Sequence, residues 1–585
     1  MDKFHQIIKR FIYFALAKLL PSILLLLFLI PVSAQLKKTI KLQAEERGEV
    51  YLLVDIPNKA SLYNLGRIAS IDRTALGKSK DKVYAYVSKN NLQEFEKLAL
   101  DYQLQTPPSL KLATTMCADI NAVKNWNCYP TYDQYIALMN EFASDYPDLC
   151  QLEEIGKSED GRSVLSIKIS DNVAQSEEEP TFFYTSTMHG DEVTGYVLML
   201  RFVDYLLSNY QTDTRIKELI DSTEIWINPL SNPDGTYAAG NTDMSGAGRY
   251  NANGIDLNRN FPDPEDGDHP DGNSWAQETT DMMEFMQAHN FVLSANFHGG
   301  AEVVNYPWDR WHTRHADDNW YQNLSRQYAD TVHANSTGYM TYLDNGITNG
   351  ADWYQVSGGR QDYTNYYLHK REVTIELSDV KMPDAASLPN FWNYNYRSFL
   401  NYIARVHQGF YGKVTDVDGN PLRAKMFIEN HDVDSSDIYS NPENGMYYRL
   451  IMGGTYNISF SAAGYNTKTF NNINILNNER QRLDVILEKT PVSDNKITND
   501  AIQIKTINNP FTDYISGSFY ISDYQNNLKF TLYDSNGRLV NKTLYGDRQI
   551  GINSFYITTS KLKSGLYMLV LSTTSFSIKK KLIKQ

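Results

Sequence analysis

Three cysteines in 585 residues are too few for a disulfide scaffold and too few for a cysteine-built zinc finger. Any metal site must therefore be made from histidine and carboxylate, and only 11 histidines are available. Basic residues are also short, 55 against 69 acidic ones for a net charge of −14. That balance excludes a general nucleic-acid binder, which needs a basic face. No long hydrophobic run follows the N-terminus, which excludes a multi-span membrane protein. Low-complexity tracts and strong internal repeats are missing too. What is there, 42% hydrophobic and 21% charged residues, is ordinary globular composition, and the length predicts about four domains.

Residues 1–34 read as an export signal. Lys3, Lys9, Arg10 and Lys18 supply positive charge, Leu19–Val32 is mostly apolar, and Val32-Ser33-Ala34 offers small residues for cleavage before Gln35. A retained anchor is the alternative, because Phe11–Val32 is nearly long enough to span a bilayer. Export permits a disulfide among Cys117, Cys128 and Cys150. Tyr135, Leu138, Met139 and Phe142 recur at helical spacing, so about 132–146 is expected to be a helix. A helix of that length separates its ends by about 20 Å. This disfavours a Cys128–Cys150 pair and leaves the partner of Cys117 open, a free buried cysteine being the other possibility.

Residues 35–115 mix strand patterns (Val50–Val54, Val83–Val87) with a short helical one near Leu92–Leu100, and are expected to be a small α+β segment or pro-domain. Residues 118–407 alternate strand and helix patterns, as an α/β domain does. Thr181–Thr187, Ile225–Asn228, Phe291–Phe297 and Glu372–Leu377 are its clearest buried strands, and Val193–Leu207 its clearest helix. From Gly409 short strand patterns dominate, predicting a β-sandwich over 409–488, a linker over 490–500 and a second β-patterned domain over 501–585.

Met188-His189-Gly190-Asp191-Glu192 directly follows the strand pattern 181–187. His189 and Glu192, three apart at a strand's carboxyl end, suit one face of a zinc ion, and His298, closing another strand pattern, offers a third ligand. Two His and one Glu leave a fourth position for water. Taken singly, a loop histidine is usually just solvated. Arg249 and the run Asn258-Arg259 bring guanidinium and amide groups into a turn-rich segment, the chemistry that grips a carboxylate. Glu376 sits inside Val373-Thr374-Ile375-Glu376-Leu377, where a carboxylate must be paired, protonated or catalytic.

Taken in order, His189/Glu192, Arg249, Asn258/Arg259, His298, Tyr354 and Glu376 resemble the zinc carboxypeptidases of the carboxypeptidase A/B class. Asn-Pro-Asp-Gly (232–235), Gly-Ile-Asp-Leu-Asn-Arg-Asn-Phe-Pro (254–262), His-Gly-Gly (298–300), Val-Asn-Tyr-Pro (304–307) and Thr-Asn-Gly-Ala (348–351) are most similar to the regulatory branch with carboxypeptidases D, E, M and N. The resemblance covers about 125–407 and implies an α/β fold, a mixed-sheet domain with helices on both faces. It implies one Zn(2+) on His189, Glu192 and His298, Glu376 as the base that later protonates the leaving amine, and Arg249 on the scissile carbonyl. Asn258 and Arg259 would bind the substrate's terminal carboxylate, Tyr354 would close over it, and Asp256 would orient a ligand histidine from behind. Asp309, eleven residues after His298, suggests a preference for C-terminal Lys or Arg, unless adjacent Arg310 neutralises it. Tyr196 stands where relatives often have Arg, and the acidic loop Asp263–Asp271 is expected to be a solvated loop.

Residues 409–488, with Gly412–Asp416 and Gly419-Asn420-Pro421-Leu422, resemble the transthyretin-like sandwich that follows the catalytic domain in that branch. Residues 501–585, with Asn509-Pro510-Phe511 and Gly565-Leu566-Tyr567, are similar to type IX secretion sorting domains. The expected protein is an exported zinc metallocarboxypeptidase, secreted or held at the cell surface. Its expected partners are peptide or protein C-termini and the secretion machinery, with no nucleic acid, and its oligomeric state is left open. The rival functions are a zinc amidohydrolase acting on cell-wall peptides and a catalytically dead surface module.

Overall fold

The computed structural model describes residues 36–72, 81–110, 114–490, 502–522, 525–535, 537–548, 550–560, 562–573 and 577–585. The expected export signal 1–34 and linker residues 491–500 lie outside the described residues. Among the described residues no helix is long and apolar enough to cross a membrane.

The N-terminal segment is a small α+β unit. A helix over 36–47 (α1) precedes β1 (Glu49–Asp55), α2 (Lys59–Gly66), β2 (Ser70–Ile71), β3 (Lys82–Ser88), α3 (Leu92–Lys97) and β4 (Tyr102–Gln105). The two-residue alternation of a strand puts Val50, Leu52 and Val54 on one face, where they meet Val83, Ala85, Val87 and Phe95. The sheet order is β2-β3-β1-β4, so the short β2 is an edge strand.

The next domain is built on an eight-stranded sheet of order β11-β10-β12-β9-β7-β8-β6-β5. Its strands are β5 (Cys150–Lys157), β6 (Ser163–Ile169), β7 (Thr181–Ser186), β8 (Glu224–Asn228), β9 (Leu293–His298), β10 (Ala301–Tyr306), β11 (Ile347–Asn349) and β12 (Arg371–Ser378). The sheet is mixed: β12, β9, β7 and β8 run parallel, while β10 and β6 pair antiparallel with them. The main helices are α4 (Tyr132–Asp145), α5 (Thr194–Asn209), α6 (Gln277–His289), α7 (Asp318–His333), α8 (Arg360–Tyr366) and α9 (Leu388–Ala404). Successive residues of β7 show why both sheet faces are covered. Tyr184 packs against Phe202 of α5 and Phe399 of α9, while Phe183 packs against Phe285 of α6. The expected helix over 132–146 is α4, opened by a capping box between Thr131 and Gln134.

Cys117 is bonded to Cys128, which settles the open pairing. Cys150 is free and buried, and burial pushes its thiol up to about 12. Tyr196 lies fully buried in α5, its hydroxyl 3.0 Å from that of Tyr237, so it serves the core. Two four-stranded sheets follow between residues 409 and 487. The last region has a three-stranded and a four-stranded sheet closing on one core that includes Phe519, Phe530, Phe555 and Leu569.

Candidate active site

The neighbouring parallel strands β7, β9 and β12 end together, and their carboxyl ends bring the expected residues to one place. His189 and Glu192 occupy the turn between β7 and α5. Thr187, at φ 59°, holds the left-handed conformation that opens this turn, and its hydroxyl donates to the Glu192 carbonyl (3.0 Å). Gly190 is needed because the chain passes flat against Gly235: a Cβ there would sit 2.2 Å from the Gly235 carbonyl carbon. Asn232 ties both segments together, donating to the Met188 carbonyl (3.1 Å) and accepting from Gly235 N–H (2.9 Å). His298 is the last residue of β9, and the β9/β12 register sets Glu376 directly opposite it. Side chains paired in a parallel register share a face, so ligand and base candidates stand side by side.

Three donor atoms converge. Glu192 Oε2 lies 3.0 Å from His189 Nδ1 and 2.8 Å from His298 Nδ1, and the two ring nitrogens are 3.0 Å apart. A tetrahedral zinc with bonds of about 2.1 Å spaces its donors by about 3.4 Å, so the set matches zinc in chemistry and nearly in spacing. All three residues are buried, and they form a group able to hold a metal ion. Burial resists ionisation of Glu192, but His189, Lys381 and His298 outweigh it and hold the carboxyl well below its ordinary value. Burial pushes His298 down to about 3 despite Glu192, leaving the ring neutral with a lone pair to give.

Asp256 is shared behind the donors. One oxygen lies 3.1 Å from His189 Nε2 and the other accepts from Arg249 Nε (3.0 Å). Burial opposes its ionisation, but Arg249 and His189 prevail and hold it well below the carboxylate range. Arg249 also donates to Glu192 Oε1 (3.3 Å). A cavity of about 410 Å³ is lined by His189, Glu192, His298, Glu376, Arg249, Asn258, Arg259 and Tyr354, joined by Ser70–Asp72 and Tyr86 of the N-terminal unit. Arg259 is buried and donates to Tyr354 Oη (3.2 Å), so the candidate carboxylate clamp and its closing tyrosine are in contact. Asn258 Oδ1 accepts from Arg360 N–H at the start of α8, which fixes its amide.

The expectation of a solvated acidic loop is corrected. Arg310 turns from Asp309 to the loop, with contacts to Glu265 (2.9 Å), Asp266 (3.4 Å) and Asp263 (3.6 Å). The loop is therefore partly an inward ion pair, with Asp263 buried and accepting from Glu265 and Asp266 N–H, and is not merely solvated. Asp309 is buried and accepts from Asn305 (2.8 Å). Gly359 lies between it and the clamp: a methyl there would lie 3.7 Å from both Asn258 Oδ1 and Asp309 Oδ2, and 3.4 Å from Val356.

Sequence reasoning missed Lys381, whose Nζ lies 3.0 Å from Glu192 Oε1 and 3.2 Å from Asp191 Oδ1. It also missed Asn296, whose amide nitrogen lies 2.8 Å from His298 Nε2. Metal binding through Nδ1 leaves the hydrogen on Nε2, and the reversed amide orientation accepts it there. The grip of the N-terminal unit was not visible either. Glu49 accepts from Arg249 N–H (2.9 Å), Ser88 donates to the Gly254 carbonyl (2.5 Å) and Tyr250 donates to the Tyr86 carbonyl (2.7 Å).

Fold and donor set together define an α/β domain with a candidate metal centre. Residues 135–398 match the family model for zinc carboxypeptidase, and residues 508–585 match that for the secretion system C-terminal sorting domain. The chain is 36% identical to mouse carboxypeptidase M over 346 residues, 57% of this chain and 77% of the relative. It is 36% identical to the mouse carboxypeptidase N catalytic chain over 377 residues, 58% and 81% of the two chains. Against human carboxypeptidase D the figures are 39% over 356 residues and 57% of this chain, but the match spans only 25% of that longer protein. The chain belongs to the zinc carboxypeptidase family, which implies a zinc cofactor, and its sorting domain implies export to the cell surface or beyond.

Proposed function

We propose that this chain is a zinc metallocarboxypeptidase that removes the last residue of peptides or proteins. The observation that carries the reading is one cavity holding both the His189–Glu192–His298 set and the buried Arg259, with Glu376 beside His298. Bound by those three residues, zinc supplies a Lewis acid that polarises the scissile carbonyl and acidifies water. Arg259 and Asn258 hold the terminal carboxylate, which places the last peptide bond near Glu376. Glu376 takes the proton from the attacking water and returns it to the leaving amine. Arg249, held by Asp256 and Glu192, donates to the oxygen on which negative charge develops. Tyr354 closes the clamp through its contact with Arg259.

A basic last residue fits best. Asp309 is buried behind the clamp, with Oδ2 3.7 Å from where a Cβ at Gly359 would lie, so a cationic side chain reaching past Gly359 approaches a buried carboxylate. Release of the last residue from hippuryl-Arg, hippuryl-Phe and a diaminopimelate peptide, with and without a zinc chelator, tests this. Arginine release should dominate and vanish with chelation. Asp309→Asn should narrow the Arg-to-Phe ratio by at least about tenfold, equivalent to about 1.4 kcal/mol. Cleavage of the diaminopimelate peptide alone supports the amidohydrolase instead.

The 36–105 unit reads as a cover over the upstream side of the cleft, because Ser70–Asp72 and Tyr86 line the cavity. Cutting the folded protein at a protease site engineered into 106–114 should raise kcat/KM for a long peptide ending in Arg by about tenfold, or about 1.4 kcal/mol. The gain for hippuryl-Arg should be smaller, and equal gains would remove the cover reading. The 409–488 region is retained as a transthyretin-like packing domain, and 1–34 as a cleaved export signal.

A further inference from the structure

Lys381 stands five residues beyond Glu376, in the turn that leaves β12, yet it reaches back to a metal-ligand candidate. Its carbonyl accepts from Val193 N–H (3.1 Å), which pins this turn over the entry to α5. Its stem runs beside Gly299 and Gly300, where a Cβ would lie 3.6–3.8 Å from Lys381 atoms. The side chain is 5% exposed, and its ammonium lies 4.3 Å from the Tyr86 ring centre.

The two oxygens of Glu192 have different neighbours. Oε2 faces both ligand nitrogens and also accepts from Gly299 N–H (3.2 Å). Oε1 faces away, toward Lys381 (3.0 Å) and Arg249 (3.3 Å). Arg249 is the longer contact and is shared with Asp256, so Lys381 is the closer of the two cations on Oε1. Without it, the carboxylate is free to rotate toward Arg249, and the neighbouring charge of Asp191 loses its counter-ion in a buried setting.

We propose that Lys381 is a positioning residue that holds the Glu192 carboxylate in the orientation in which it faces His189 and His298. The proposal rests on the reading that His189, Glu192 and His298 hold zinc. Nothing in it requires Lys381 to touch substrate.

The test is zinc affinity of the full-length apo-protein, measured by competition with a chromogenic chelator for the native chain, Lys381→Met, Lys381→Arg and Asp191→Asn. Loss of a partner behind a metal ligand typically weakens binding about 10–100-fold, and that loss is expected for Lys381→Met. Lys381→Arg should restore most of it. Asp191→Asn should leave affinity near the native value, since it removes the ammonium's other acceptor and not the lock on Glu192. The cobalt(II)-substituted Lys381→Met protein should show a shifted visible spectrum, which a purely structural loss of stability would not produce. Thermal melting of the apo forms reports folding, and Lys381→Gln takes the place of a methionine variant that fails to fold. Native affinity in both the Met and Gln variants, or an equal loss in Asp191→Asn, overturns the proposal. A native chain that binds no stoichiometric zinc overturns the parent reading instead, so the two failures are distinguishable.

Discussion

Replacing Glu376 with glutamine is expected to lower kcat by about 10²–10⁴-fold, the range that a positioned general acid–base group contributes. The substitution keeps the shape and removes the basic oxygen. Its surroundings favour a clean result: Glu376 is the sixth residue of the eight-residue β12, opposite His298 of β9 and Val303 of β10, so the backbone ladder fixes its place. Zinc content should stay at one per chain, and KM for hippuryl-Arg should change little, because Asn258 and Arg259 hold the far end of the substrate. Stopped-time release assays with metal analysis of the same sample check both halves. Unchanged turnover would mean that the proton is handled by another group. Lost zinc would mean that Glu376 had been placed in the wrong role.

The parts of this site that were legible in the sequence are those that local pattern determines. His189, Glu192 and His298 stand at the ends of apolar strand runs, and Glu376 interrupts one, so the two-residue period locates them before any packing is known. Lys381 gave no such signal. A lysine in Ser-Asp-Val-Lys-Met reads as a solvated turn residue, and only the return of the chain over Gly299 and Gly300 turns it inward. The neighbours Asp309 and Arg310 suggested mutual neutralisation, yet Arg310 is directed to the acidic loop and Asp309 toward Gly359. The N-terminal unit makes the same point at larger scale. β1 and β3 were legible as strands, whereas the two-residue β2 has too little sequence to carry a period, and its segment reaches the cavity. Cys117 paired with Cys128 for a reason that spacing does not encode, the bend of the backbone between them.

Asp317→Ala is expected to cost about 3–5 kcal/mol of stability, the range for breaking a buried ion pair by removing one partner. This aspartate precedes α7 and is buried. One oxygen accepts from Arg371 (2.7 Å) and Arg449 (2.7 Å), and the other meets His431 (2.8 Å) and Arg449 again (3.0 Å). Arg449 also donates to Asp432 (2.7 Å), so two buried arginines converge on one carboxylate with a second behind it. Removing Asp317 leaves Arg371 with no carboxylate in this group and Arg449 with Asp432 alone, in a setting where neither guanidinium can lose its proton. A midpoint fall on the order of 10 °C follows for a unit of this size. Burial opposes ionisation of Asp317, but Arg449 and Arg371 outweigh it and hold the carboxyl well below its ordinary value. A depressed carboxyl contributes stability above its unfolded pKa of about 3.9 and loses it as pH falls through the lower folded value. The native protein should therefore lose this contribution progressively below about pH 4. The difference in midpoint between native and Asp317→Ala should shrink as pH falls below about 4. Exchanging Asp317, Arg371, Arg449 and Asp432 together for apolar residues of similar volume should cost much less than Asp317→Ala alone, because no buried charge of the carboxylate–guanidinium group is then left facing a lost partner. If the single and quadruple variants melt together, the cluster acts through packing and its charges are incidental.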